Sequence, residues 1–434
     1  MNQFYSKNEN TLNGVVELPG DKSISQRILI LGSMAIGTTR VKGISYSEDV
    51  NNLIKNLKSL GVKIIKNKDS VIISGVGIGG LNPTKKLDMG NSGTATRLML
   101  GTLCNQNFEV KFVGDKSLSK RNMYEVIKLL RQMGAKINSK NNRLPITIKG
   151  FNETIPITYN QKIPSAQIKS AILFASLNSP GLTTIIENIP TRNHSELLLK
   201  KFGAKIQIKK YKKKKIIKII GQKELKAKNI LIAGDPSAAA IVGSAALIIP
   251  NSEIKIKKVN INKTRIAFFK ILKKMNANIK IFNKKKISNE QIADITFKSS
   301  NLKGVHLGKE KVAEMIDEIP IFSILAAFAK GSSSFIGGNE LKNKESNRIK
   351  SLYEGLIACK IKVKKKNDGL KIVGNKNNVV GSAKIKTYYD HRIAMAFLVM
   401  GLASKKKIIV DDLDCIKTSF PNFVSLMKGL GGNF

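Results

Sequence analysis

Several short stretches of this chain gather side chains that bind and move charge. In Gly20-Asp21-Lys22-Ser23-Ile24-Ser25-Gln26-Arg27, the residues Lys22, Ser23 and Arg27 stand between a short apolar strand signal and an apolar helix-forming run. A Gly-initiated turn that hands over to a helix offers backbone N–H groups and a partial positive charge to an anion. Lys22 adds a mobile point charge, and Arg27 adds a planar fork for carboxylate or phosphate. An ordinary capped helix with solvated basic residues fits this octapeptide equally well when it is read alone. The frame of a Walker loop is missing. Met89-Gly90-Asn91-Ser92-Gly93-Thr94-Ala95-Thr96-Arg97 makes a second anion-friendly helix start, or a turn plus an N-cap. Gly114-Asp115-Lys116-Ser117-Leu118-Ser119-Lys120-Arg121 echoes the first motif ahead of a helix expected near Met123. Pro164-Ser165-Ala166-Gln167 and Thr191-Arg192-Asn193-His194-Ser195-Glu196 mark two more helix entries, where Ser, Gln and Arg either hydrogen-bond a phosphate or cap.

Acids and further cations follow. Glu314-Met315-Ile316-Asp317-Glu318-Ile319-Pro320 sets carboxylates at the mouth of an apolar helix expected over 321–329. Lys344-Glu345-Ser346-Asn347-Arg348 places Lys344 and Arg348 at i and i+4, on one helix face, with Glu345 beside them. Tyr389-Asp390-His391-Arg392 precedes a helix expected over 393–403. Ten of the 75 basic residues are arginine, and six of those ten (Arg27, Arg97, Arg121, Arg192, Arg348, Arg392) fall in these stretches. Lysine is the default cation here, so a retained guanidinium points to bidentate anion geometry. The three histidines are not paired at ligand spacing, which argues against zinc. There is no Gly-x-Ser-x-Gly, and no cysteine lies in these loops to act as a nucleophile.

The elements that must position these residues repeat. Leu57-Lys-Ser-Leu-Gly61-Val-Lys-Ile64 recurs from Leu130, Leu199 and Leu272, and more weakly from Glu354 and Met427, at intervals of 73, 69, 73, 82 and 73 residues. Each copy reads as the end of an amphipathic helix, a Gly or Asn suited to a left-handed cap, and an entering strand. Six copies imply six helix-and-sheet units, hence an α+β protein of two domains with three units each. The turn cluster Gly234-Asp235-Pro236-Ser237 marks the boundary between them.

Composition bounds the rest. A chain of 434 residues with 42% hydrophobic content is globular and long enough for several domains. The widely spaced Cys104, Cys359 and Cys415 indicate a reducing compartment. Met1-Asn2-Gln3-Phe4-Tyr5-Ser6 lacks the apolar core of a signal peptide, and the longest apolar run, 393–403, is too short to span a bilayer. A cytoplasmic protein without a membrane partner is expected. The net charge of +45 raises nucleic-acid binding as an alternative of a different class. Yet the lysines are dispersed, tryptophan is absent, and stretches such as Lys205-Ile206-Gln207-Ile208-Lys209 alternate as half-exposed strands do. A solvated lysine surface with no specific nucleic acid is the favoured reading.

Taken in order from Leu18 to Phe423, these motifs resemble the 5-enolpyruvylshikimate-3-phosphate (EPSP) synthases, the 3-phosphoshikimate 1-carboxyvinyltransferases of the shikimate pathway to aromatic amino acids. The resemblance implies two domains, each of three βαβαββ units, over 21–233 and over 1–20 with 234–434, and an active site in the cleft between them. It implies a monomer without cofactor or metal that transfers the carboxyvinyl group of phosphoenolpyruvate to the 5-hydroxyl of shikimate 3-phosphate, releasing phosphate. Matched residue by residue, Lys22, Ser23, Arg27, Ser165, Gln167, Arg192, Asp317 and Lys344 fall at shikimate-3-phosphate positions. Lys22, Gly93, Arg121, Gln167, Arg348 and Arg392 fall at phosphoenolpyruvate positions. Lys22, Asp317, Glu345 and His391 fall at catalytic ones, with the proton donor left open between Glu345 and Lys22. Ala166 departs from members that have a second phosphate-binding serine, and Arg192 is placed to compensate. Lys417 sits one position before a lysine used by some members, with Thr418 at the direct match. The related UDP-N-acetylglucosamine enolpyruvyl transferases carry a reactive cysteine in the loop matching 114–121, where this chain has none.

Overall fold

The computed structural model describes residues 4–6, 11–212 and 214–434. Residues 1–3 and 7–10, and with them part of the 1–6 segment that lacks an apolar core, lie outside the described residues. Among the described residues no helix is long and apolar enough to cross a membrane.

The repeated octapeptide has one backbone job. Helices Glu48–Ser59, Tyr124–Gln132, His194–Lys201 and Ala267–Lys274 each run into a left-handed residue: Gly61, Gly134, Gly203 and Asn276. The residue after it returns its N–H to the carbonyl five positions back: Val62 to Leu57, Ala135 to Leu130, Ala204 to Leu199 and Ala277 to Leu272, at 2.9–3.1 Å. The left-handed residue itself bonds three positions back, so this is a Schellman cap, repeated. The sixth copy does the same through Gly431 and Gly432, which donates to Met427 at 2.8 Å. The fifth copy is shifted from the expected frame. Its left-handed residue is Lys360, and Ile361 donates to Leu356 at 3.0 Å, so the repeat starts at Leu356 rather than Glu354. A lysine at the cap hid the frame, because only the backbone angle marks that position.

Six sheets among the described residues follow, one for each repeat. Strands Lys86–Asp88 and Glu109–Val113 pair in parallel across helix Gly93–Leu103, and helix Tyr124–Gln132 leads to the antiparallel hairpin Lys136–Ser139 and Ile146–Lys149. That is a βαβαββ unit with spatial order one, two, four, three. The same order holds for Thr158–Gln161, Leu182–Glu187, Lys205–Tyr211 and Lys214–Ile220, and for His306–Leu307, Ser332–Phe335, Lys362–Lys366 and Gly369–Val373. Three sheets take a strand from far along the chain. Asn13–Glu17 lies parallel to Glu253–Asn260, while Leu225–Lys226 and Asn229–Leu231 lie parallel to Ala35–Lys42. In the remaining sheet Phe4–Ser6 runs antiparallel to Lys406–Val410.

Contacts divide the chain into two compact units, one of Gly20–Ile232 with Ile287–Asn289, the other of the residues up to Pro19, Ala233–Lys286 and Glu290–Phe434. Each has its own apolar core. Three helices in each unit are buried on nearly every side and are therefore central. They are Lys22–Ser33, Gly93–Leu103 and Ala166–Ala175 in the first, and Pro236–Ile248, Ile319–Phe328 and His391–Ala403 in the second. The motifs with chemistry lie at helix starts of both kinds: those at 20–27, 89–97, 164–167, 314–320 and 389–392 lead into these buried helices, and those at 114–121, 191–196 and 344–348 lead into the helices Tyr124–Gln132, His194–Lys201 and Arg348–Ala358 that the repeat marks.

Candidate functional site

In the unit containing Gly20, side-chain caps fix where the central helices begin. Asp21 Oδ1 accepts from the Ile24 N–H at 2.9 Å, Ser92 Oγ from Ala95 at 3.2 Å, and Ser165 Oγ from Ile168 at 3.4 Å. The three helix starts then meet. Gln26 Nε2 donates to Ser92 Oγ at 2.7 Å, Gln167 Nε2 donates to Thr94 Oγ1 at 2.7 Å, and Arg97 donates to Gln167 Oε1 at 3.0 Å. Three partial positive charges and the cations Lys22, Arg97 and Arg121 thus share one end of the helix group. Lys22 Nζ lies 2.8 Å from Asp49 Oδ2, a partner that the sequence reading missed because Asp49 stands among surface-like residues of another helix. Arg121 donates to Asn91 Oδ1 at 2.7 Å. Gly93 admits both guanidinium groups: a Cβ there would stand 2.9 Å from Arg121 NH1 and 3.0 Å from Arg97 NH1.

Arg27 is deeper than its motif suggests. It is buried and donates through Nε to Ser195 Oγ at 2.7 Å, through NH2 to Ser170 Oγ at 3.0 Å and through NH1 to the Ser23 carbonyl at 2.9 Å. Ser170 and Ser195 are in turn 2.6 Å apart, so Arg27 joins the helices Ala166–Ala175 and His194–Lys201. Ser165, Gln167, Arg192 and His194 all lie at the starts of these two helices or just before them.

Beneath them lies a group of buried charges. Lys169 Nζ contacts Glu187 Oε1 at 2.8 Å and Glu196 Oε1 at 2.9 Å, and Lys215 Nζ contacts Glu196 Oε1 at 2.6 Å. Burial pushes the Glu196 carboxyl up, but the two ammonium groups outweigh it and hold it down at about 2, against an ordinary 4.5. The unfolded chain therefore takes up this proton at higher pH than the folded one does. The stability carried by ionised Glu196 is fully present above about pH 4.5 and is lost as pH falls towards about 2. Acid unfolding followed by circular dichroism is expected to steepen across that window, and Glu196→Gln is expected to flatten it. Equal slopes in parent and variant would contradict this.

In the other unit the central helices again meet at their starts. Ser237 donates to Glu318, and Arg392 NH1 donates to the Asp317 carbonyl at 3.1 Å. Arg348 is almost fully buried among carboxylates. Its Nε lies 2.8 Å from Asp390 Oδ2, its NH2 2.6 Å from Glu345 Oε2, and its NH1 3.5 Å from Asp317 Oδ1. Burial disfavours the charge, but Asp390, Glu345 and Asp317 together hold the Arg348 pKa above its usual value. Arg392 Nε stands 3.9 Å from the same Asp317 oxygen. Asp390 does two jobs, because its Oδ1 also caps helix His391–Ala403 by accepting from the Arg392 N–H at 3.0 Å. The buried His391 has Nδ1 3.3 Å from Thr418 Oγ1, whereas Lys417 pairs with Asp414 at 2.7 Å on the surface. Lys344 and Arg348 do not share a helix face as their spacing implied. Helix Arg348–Ala358 starts at Arg348, capped by Asn347, and Lys344 ends the preceding 3-10 turn Asn339–Asn343. All three cysteines are buried, and burial pushes each thiol well up, to about 12 for Cys104 and Cys359.

Each unit thus presents fixed guanidinium groups at joined helix starts, and the second adds two acids beside them. Such a protein is built to handle multiply charged anions. A profile of the family described as EPSP synthase (3-phosphoshikimate 1-carboxyvinyltransferase) matches residues 6–427. Proteins named 3-phosphoshikimate 1-carboxyvinyltransferase from Parvibaculum lavamentivorans and Zymomonas mobilis are each 43% identical to the chain, over 97% and 98% of it and 94% and 95% of their own lengths. The solved structure of EPSP synthase from Acinetobacter baumannii superposes with a TM-score of 0.86 at 37% identity, covering 99% of this chain and 98% of that one. The chain belongs to the EPSP synthase family.

Proposed function

We propose that the protein transfers the carboxyvinyl group of phosphoenolpyruvate to the 5-hydroxyl of shikimate 3-phosphate and releases phosphate. The observation that carries the reading is the cluster of Arg348 and Arg392 around Asp317 and Glu345, which supplies anion-binding forks and acid–base groups within one set of contacts. In the addition step the 5-hydroxyl oxygen bonds to C2 of phosphoenolpyruvate, its proton leaves, and a proton is added at the methylene carbon. In the elimination step a methyl proton and the C2–O bond to phosphate are lost. Both substrates are polyanions, so converging cations offset their repulsion and stabilise the tetrahedral adduct.

Asp317 is assigned to orient or deprotonate the 5-hydroxyl. Glu345 or Lys22 is assigned to the methylene proton, and His391 supports the same machinery. Arg121, Arg348, Arg392, Gln167 and the Gly93 helix start are assigned to phosphoenolpyruvate. Ser23, Arg27, Ser165, Gln167, Arg192, Lys344 and Asp317 are assigned to shikimate 3-phosphate, and Lys22 to both substrates. The buried setting of Arg27 makes it a brace for Ser170 and Ser195 as well. The enzyme is assigned to the cytoplasm as a monomer, with lysine-bearing strands such as Lys205–Tyr211 exposed to solvent.

The test is phosphate release from phosphoenolpyruvate with and without shikimate 3-phosphate. Release that does not depend on shikimate 3-phosphate, or no release with both, sinks the reading. Arg121→Lys is expected to raise the KM for phosphoenolpyruvate about tenfold or more, whereas Lys68→Ala in a surface turn leaves it unchanged. Lysine keeps the charge but loses the fork that also bonds Asn91, so geometry is what is compared. Equal KM values for the two variants would mean that diffuse charge alone matters.

A further inference from the structure

Lys169, Glu187, Glu196 and Lys215 are buried charges that no step of the proposed reaction uses. Such a group is poorly explained by stability, because apolar residues of similar volume often serve a core as well or better. What it does supply is fixed geometry. Lys169 stands two residues after Gln167 on one helix, and Glu196 directly follows Ser195, which accepts from Arg27. Glu187 ends the strand Leu182–Glu187 and reaches forward to the turn that carries Arg192. Its Oε1 accepts from the Thr191 N–H at 3.1 Å and from the Thr191 hydroxyl, while Lys169 bonds the same oxygen at 2.8 Å and Lys215 lies 3.5 Å from Oε2. The carboxylate thus has a cation on each oxygen and the turn on one of them.

We propose that Glu187, held by Lys169 and Lys215, is a positioning residue that clamps the Thr191–Arg192 turn and so sets the affinity for shikimate 3-phosphate through Arg192. This rests on the assignment of Arg192 to that substrate made above. Thr191 is the mediator, and an isosteric change there leaves the buried charges intact. Steady-state kinetics of Thr191→Val, Thr191→Ser, Arg192→Ala and the double variant Thr191→Val/Arg192→Ala test it. Thr191→Val removes the hydroxyl donor and is expected to raise the KM for shikimate 3-phosphate about tenfold, the scale of a lost hydrogen bond to a charged group. The kcat and the KM for phosphoenolpyruvate should stay within about twofold, a split that general loosening would not give. Thr191→Ser keeps the donor and should retain the parental KM. The double variant should be no worse than Arg192→Ala, since Thr191 acts through Arg192. A parental KM in Thr191→Val, equal damage in Thr191→Ser, or additive damage in the double variant would overturn the clamp while leaving the assignment of Arg192 standing. A parental KM in Arg192→Ala would overturn that assignment and the clamp with it.

Discussion

Arg348→Met is expected to be the most damaging single change in this protein. The guanidinium is the common partner of Asp390, Glu345 and Asp317, and it is 1% exposed against 0% for Asp390. Methionine fills much of the volume but leaves a buried carboxylate without its counter-charge. Breaking a buried ion pair from one side typically costs about 3–5 kcal/mol. That is a large share of a typical folding free energy of about 5–15 kcal/mol. The urea midpoint should fall accordingly, and turnover should vanish with the fork. Arg348→Met/Asp390→Asn removes the stranded charge and should recover part of the midpoint without recovering turnover. An unchanged midpoint in Arg348→Met would show that the three carboxylates do not depend on this residue.

Glu345→Gln and Asp317→Asn are expected to separate catalysis from binding. Each keeps its shape and a hydrogen-bonding oxygen near Arg348 but loses the ability to exchange a proton. Turnover should fall by about a hundredfold or more, the scale of a lost general acid or base, while shikimate 3-phosphate still binds within about tenfold of the parent. The two should differ in deuterated water. Glu345 accepts from Arg348 NH2 at 2.6 Å, and to deliver a proton it must first hold one beside that guanidinium. Lys22, 2.8 Å from Asp49, is the competing donor. If Glu345 donates, Glu345→Gln loses solvent deuterium incorporation into the methylene group of phosphoenolpyruvate, and Asp317→Asn retains more of it. Incorporation at the parental rate in Glu345→Gln would transfer the role to Lys22.

The repeats and the helix starts were legible in the sequence because they are set by residues within a turn or two of one another. A Gly or Asn after an amphipathic helix suffices for the cap at Gly61, Gly134, Gly203 and Asn276, and Asp21, Ser92 or Ser165 ahead of an apolar run suffices to start a helix. Where the local signal was carried by a lysine with left-handed backbone angles, at Lys360, the frame was misread by two residues. Likewise the i, i+4 spacing of Lys344 and Arg348 promised a shared face only if a helix covered both, and the Asn347 cap starts it later. Tertiary structure alone decided which partners the site residues have. Asp49 reaches Lys22 across 27 positions, Asp390 reaches Arg348 across 42, and Ser195 reaches Arg27 across 168. It alone buried Lys169 with two glutamates, since an isolated lysine in a helix looks the same whether it faces water or a carboxylate. The sequence by itself determined the six α+β units and the residues at their helix starts, through short-range backbone and capping preferences. The joining of those starts, and the pairing of each cation with its acid, came only from packing three apolar helices together in each unit, because charges distant in sequence meet only when the core between them closes.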